Sequence, residues 1–226
     1  MKREKSSRVM FPGYSIEKDA WAWTVIVKSE HLWGLNRREQ SSHVPDVLFF
    51  QMLKSNFPKA QKLAENYLKN CPLTKDWERI IGSQREALEK VWRPVEKEYF
   101  KIVESITERP IYTDRFYCYF TSGYMCPYDV EADMFIASMW HNLPNSITTI
   151  GREVMHLQFL CHYKKYLQKK GLKVSQIEDL KEALTFLLNE PEFQGIMLSR
   201  DRGYPKHQKM RRQLQRIWSK EKNFQQ

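Results

Sequence analysis

Ile147–Tyr166 reads ITTIGREVMHLQFLCHYKKY, and this stretch decides how the rest of the chain is read. Pro144 opens a helical pattern ahead of it, and Lys169 and Lys170 place cations at its C-terminal end. Gly171 supplies a residue that can adopt the left-handed conformation closing a helix. Within the helix, Arg152 and His156 are four residues apart and so project from one face, one turn apart. Glu153 sits beside Arg152 and is angled onto the same broad face. A cation, a carboxylate and an imidazole grouped in this way are the chemistry-bearing residues of the segment.

Upstream, Arg109–Pro110 ends a long helical pattern. Ile111–Phe120 (IYTDRFYCYF) is aromatic and β-branched and predicts a strand, and Val130–Trp140 predicts a second. The Thr121–Tyr128 connection contains Gly123 and Pro127, so a hairpin or neighbouring strand pair is expected just before the motif helix. Downstream, Ser175 and Glu178 have the spacing of a capping box for a helix ending near Asn189–Pro191, and that helix carries Glu182. Gly203-Tyr204-Pro205 introduces a last helix, with His207 in its first turn, running to about Trp218.

In the N-terminal half, Ala20–Val27 (AWAWTVIV) reads as a strand and Asn36–Val44 as a loop. Pro45 suits the first position of a helix that Asn56–Pro58 interrupts, and Ala60–Leu68 resumes the helical period. Thr74 is the expected N-cap of a further helix, kinked or broken at Pro94 and continuing to about Ile106. The expected fold is α+β, mainly helical with a small sheet. It forms a single domain over residues 1–226, made of a mostly helical part (1–108) packed against the motif-bearing part (109–226).

The chain has 226 residues, of which 42% are apolar and 13% aromatic, against only 8 Gly. That is enough apolar surface for a core and argues against disorder or a linker-like protein. No apolar run approaches the ~20 residues of a membrane span, and the opening MKREKSSRVMFPGYS has no apolar stretch behind its cations. Cys71, Cys118, Cys126 and Cys161 fit no metal or disulfide spacing and read as free thiols, although Cys118 and Cys126 could meet across a hairpin. A cytoplasmic location is therefore expected.

The net charge is +10. Ser199–Lys222 holds nine Lys and Arg against only Asp201 and Glu221. Together with Lys164–Lys173 and Met1–Lys5, and with Tyr166 and Trp218 interleaved, it opens the alternative of a basic nucleic-acid-binding module acting through the C-terminal helix. The chain contains no zinc-finger spacing, aromatic RNP string or basic heptad region.

The string Arg152-Glu153-Val154-Met155-His156 resembles the H-E-x-x-H helix of zincin metallopeptidases, in which two imidazoles one turn apart hold zinc and the Glu accepts a proton from the bound water. Glu182 on the next helix is similar to the third ligand of the gluzincin subgroup, and Tyr204 and His207 to the downstream residues that steady the oxyanion. The resemblance covers about Ile111–Trp218, a zincin-like C-terminal half. It extends to small prokaryotic or phage zincin-like proteins through REVMHLQFLCHYKKY, LTFLLNE and GYPKHQKMR.

Carried over residue by residue, the resemblance implies His156 and Glu182 as metal ligands, Glu153 as the general base, and Tyr204 and His207 as further catalytic residues. Arg152 falls in the first ligand position, where a guanidinium has no lone pair to offer. Three readings follow. Arg152 substitutes for the metal between Glu153 and Glu182, leaving a catalytically weak or silent relative with no metal that could still hold a peptide or protein in its cleft. Alternatively His141, His162 or His207 supplies a replacement ligand, and the protein is a zinc-dependent peptidase. In the third reading, the same residues merely decorate a half-buried amphipathic helix.

Overall fold

The computed structural model describes residues 8–29 and 36–222. Met1–Lys5, part of the basic surface considered above, lies outside them. The protein is a mainly helical α+β fold with one small sheet. Its elements are β1 (Val9–Met10), α1 (Ile16–Lys28), α2 (Arg37–Gln40), α3 (Asp46–Lys54), α4 (Phe57–Asn70), α5 (Thr74–Thr107), β2 (Phe116–Thr121), β3 (Tyr128–Asp129), β4 (Met134–Ser138), α6 (Leu143–Lys169), α7 (Val174–Leu184) and α8 (Gln208–Glu221).

The largest departure from the sequence reading is α1. Ala20–Val27 is helical, not a strand. The Ser15 hydroxyl accepts from the Lys18 amide and starts the helix five residues before the aromatic run. From there Ala20, Trp23 and Val27 follow helical spacing and are buried against the α3 and α4 apolar residues Phe49, Met52, Ala60, Ala64 and Leu68. Asp19 ties the other side of α1 to the sheet. Its carboxylate accepts from Thr121 Oγ1 (2.5 Å), Ser122 N (3.0 Å), Ser122 Oγ (2.8 Å) and Tyr14 OH (2.8 Å). Burial of these residues against a helical partner outweighs their intrinsic strand preference.

Four smaller differences have local causes. Asn36–Val44 contains the one-turn helix α2, formed because Asn36 and Glu39 cap each other reciprocally. α5 begins at Thr74 itself, whose hydroxyl donates to Leu68 O (2.6 Å). α5 also runs uninterrupted through Pro94, which is exposed, so the carbonyl that loses its partner faces water. α7 starts at Val174, where the Lys173 amide donates to Gln176 Oε1 (2.8 Å), and Glu178 serves elsewhere.

The sheet order is β1-β2-β4-β3. β2 and β4 are neighbours but parallel, Tyr117 pairing with Met134 and Thr121 with Ser138. The connection between them returns the chain through β3, which pairs antiparallel with β4 at the sheet edge. Phe116, Cys118, Phe120, Phe135 and Ala137 share one core with Leu88, Trp92, Tyr99 and Val103 of α5 and Ile147, Ile150 and Val154 of α6. The four cysteines are free. No helix among the described residues is long and apolar enough to cross a membrane.

Candidate functional site

α6 carries the motif residues into the interior. Asn142 caps it by accepting from the Asn145 amide (2.9 Å), and Gly171, at φ +90, lies just beyond its end. Gly151 lets the helix approach its neighbours: a Cβ there would lie 2.9 Å from Met197 Cε, and Tyr99 OH donates to the Gly151 carbonyl (2.6 Å). The next turn, Arg152–His156, is thereby placed at the junction of β3, α7 and the segment before α8.

Basic and acidic side chains alternate along the cluster formed there. Arg152 Nε and Nη2 each lie 3.0 Å from Glu153 Oε1. Glu153 Oε2 faces His156 Nδ1 at 3.3 Å. His156 Nε2 makes no hydrogen bond and lies 3.6 Å from Glu182 Oε2, while Glu182 Oε1 is 3.1 Å from Lys181 Nζ. Lys181 donates to Tyr128 OH (2.7 Å) and to Glu178 Oε2 (2.9 Å), and Tyr128 itself donates to Glu178 Oε2 (2.9 Å). Glu153, His156 and Lys181 are each 2% exposed and Glu182 6%, so these interactions act with little screening.

The electrostatics follow from this order. Burial opposes ionisation of Glu182, but His156, Lys181 and Arg152 outweigh it and bring its pKa down to about 2. Burial likewise opposes ionisation of Glu153, and Arg152 and His156 hold it below the usual carboxylate range. Arg152 is itself held more firmly protonated, Glu153 overcoming the cost of burial.

A cavity of about 40 Å³ lies against the cluster, lined by Cys126, Tyr128, Arg152, Glu153, Glu182 and Tyr204 among others. Burial raises Tyr204 to about 12 against the pull of Arg152. Arg152, Glu153, His156, Glu182 and Tyr204 are thus brought together from three separate segments. His207 is not brought with them: its Nε2 pairs with Asp179 Oδ1 (2.9 Å), and it lines no wall of this cavity.

Comparison with protein-family models, curated proteins and solved structures finds no match.

The donor set can be judged against zinc directly. The Arg152 guanidinium, in the place that the resemblance gives to a first ligand, offers only N–H donors. The two nitrogens of His156 face two different carboxylates, so they do not converge with them on one point. Of the replacement candidates, His141 Nδ1 contacts Thr149 Oγ1 (3.3 Å), His162 Nε2 contacts the Pro110 carbonyl (3.0 Å), and His207 is held by Asp179. Among the described residues no group of three or more His, Cys, Asp or Glu is placed to hold a metal. The residues as arranged do not fit a zinc ion.

Lys181, Tyr128 and Glu178 complete the cluster although sequence reasoning missed them. Lys181 next to Glu182 reads as a surface cation, and its hydroxyl partner lies on β3, far away along the chain. The one available signal is the i, i+3 spacing of Glu178 and Lys181, but in the sequence Glu178 reads as the capping-box partner of Ser175.

Proposed function

We propose that this chain is a metallopeptidase-like protein whose zinc position is taken by Arg152, and that it holds peptide in its cleft without hydrolysing it. The observation carrying the reading is the guanidinium on Glu153, with His156 and Glu182 next in line. Two buried carboxylates on either side of one imidazole would repel each other and lose solvation. Arg152 and Lys181 supply the positive charge that a divalent ion would otherwise bring.

The same pairing disables the general-base role that the resemblance assigns to Glu153. Both of its oxygens already accept from a neighbour, and its lowered pKa makes it a poor proton acceptor. The edge position of β3 favours a peptide ligand, since an extended chain can add to such a strand.

The test is Arg152→His, which writes H-E-x-x-H into α6. Wild-type protein and variant are dialysed against zinc, and bound metal is counted by mass spectrometry before and after a chelator. Hydrolysis of a mixed fluorogenic peptide pool is followed in parallel. The variant is expected to take up one chelator-sensitive zinc and the wild type none, with no metal-dependent cleavage by the wild type. One stoichiometric zinc on the wild type, lost when His156 or Glu182 is replaced, would remove the proposal.

A further inference from the structure

We infer that the polar cleft beside Arg152 takes the carboxylate of an extended peptide, received by Arg200 and Arg202. The inference rests on the peptide-holding reading above and names the group on the ligand that is recognised. The cleft has a volume of about 410 Å³, and its walls include His141, Thr148, Arg152, Arg200, Arg202 and Tyr204. Arg152 and Tyr204 also wall the inner cavity beside β3, so the two spaces adjoin.

The strap carrying the two arginines is firmly held. Asp201 is buried, with Oδ1 2.9 Å from Arg211 Nη1 and accepting from Thr185 Oγ1 (2.9 Å). Its amide donates to Asn189 Oδ1 (2.9 Å), and its carbonyl accepts from Asn189 Nδ2 (2.8 Å) and Arg211 Nη2 (3.0 Å). Gly203, at φ +60, leaves Arg211 its space, for a Cβ there would lie 2.6 Å from Nη1. With Asp201 clamped inward, its neighbours on either side are exposed. A receptor fixed beforehand loses less entropy when its ligand binds.

Charge selects the ligand. Asp201, the one acid in the cleft wall, is neutralised by Arg211, and Arg152 is tied to Glu153. Arg200 and Arg202 form no ion pair with any described residue, so two forked cations face the cleft uncompensated. A guanidinium matches a carboxylate with paired N–H donors. A peptide added along the edge of β3 would end near the cleft, because Arg152 and Tyr204 wall both the cleft and the cavity beside Tyr128.

The test uses the full chain and fluorescein-labelled randomised hexapeptide pools in three forms: free acid, neutral amide without Asp or Glu, and amide with one internal Glu. Binding is read by fluorescence anisotropy. The free acid is expected to bind at least about tenfold more tightly than the neutral amide, and added salt should narrow the gap. Arg200→Gln combined with Arg202→Gln should abolish the difference with an unchanged melting temperature, since both side chains are exposed.

An internal-Glu amide binding as well as the free acid sustains the inference and assigns the carboxylate to a side chain; a preference for the free acid alone assigns it to the C-terminus. Acid and amide binding equally, with no effect of the double variant, overturns the carboxylate inference and leaves the peptide-holding reading in place. No binding by any pool overturns both. Loss of binding to a labelled single-stranded oligonucleotide in the double variant, with peptide binding untouched, would hand the cleft to nucleic acid instead.

Discussion

Replacing Arg152 by Met keeps much of the side chain's length and removes its charge, which isolates what the guanidinium contributes. Glu153 Oε1 would lose both of its 3.0 Å contacts and Oε2 would keep only His156 Nδ1 at 3.3 Å. Removing one partner of a buried ion pair costs about 3–5 kcal/mol because the other charge is stranded. The Arg152 side chain is 22% exposed, so solvent softens the loss, and about 2–3 kcal/mol is the appropriate figure. For a chain of this size each kcal/mol moves the melting temperature by about 2–4 °C, giving a fall of about 4–12 °C.

Adding Glu153→Gln removes the stranded charge and should restore at least half of that loss, because a neutral amide is far cheaper to bury than a carboxylate. The assay is thermal unfolding at pH 7 of wild type, both single variants and the double variant, followed by circular dichroism. A melting temperature for Arg152→Met within about 1 °C of wild type would show that the guanidinium does not compensate the buried carboxylates. A double variant weaker than Arg152→Met would refute the same reasoning from the other side.

Two further outcomes follow from single residues. His43 has neither ring nitrogen hydrogen-bonded, and burial, helped by Arg38, lowers its pKa from 6.5 to about 4. The folded state then binds the proton less readily than the unfolded chain, so its stabilising contribution is complete above pH 6.5 and is lost as pH falls toward 4. By pH 5 that loss is about 2 kcal/mol. His43→Phe, which keeps a ring against Trp23 and Tyr124, should shrink the difference between the melting temperatures at pH 7 and pH 5; an unaltered difference would exclude His43 as its source. Gly203→Ala should lower stability by about 1–3 kcal/mol, since it combines an unfavourable backbone region with a clash at Arg211; calorimetry showing no change would mean that the strap relaxes freely.

The sequence made the site partly legible because three of its residues lie within one turn of one helix, where spacing along the chain translates directly into position in space. Pro144, Lys169–Lys170 and Gly171 marked that helix correctly, and Gly171 has the expected positive φ. Glu182 could be anticipated from its place on the next helix, but the i, i+3 spacing from Glu178 is too common on exposed helix faces to mark Lys181 as buried. Its burial is bought by Tyr128, on an edge strand of two residues too short to carry any periodic signal. His207 went the other way: a histidine near Tyr204 in sequence is turned aside by Asp179, an exposed-looking acid on α7. The misreading of Ala20–Val27 has the same origin. A window of aromatic and β-branched residues was judged by propensity, whereas its conformation was set by a cap at Ser15 outside the window and by Asp19 fastening the helix to the end of β2. In each case local chemistry was read correctly and a partner distant along the chain decided the outcome. Within the series Arg152, Glu153, His156 and Glu182, Arg152 depends on a residue distant along the chain only through Glu182, since Glu153 and His156 belong to its own helix. Replacing Glu182 alone by Gln should therefore disturb Lys181 and His156 while leaving the Arg152–Glu153 pair intact.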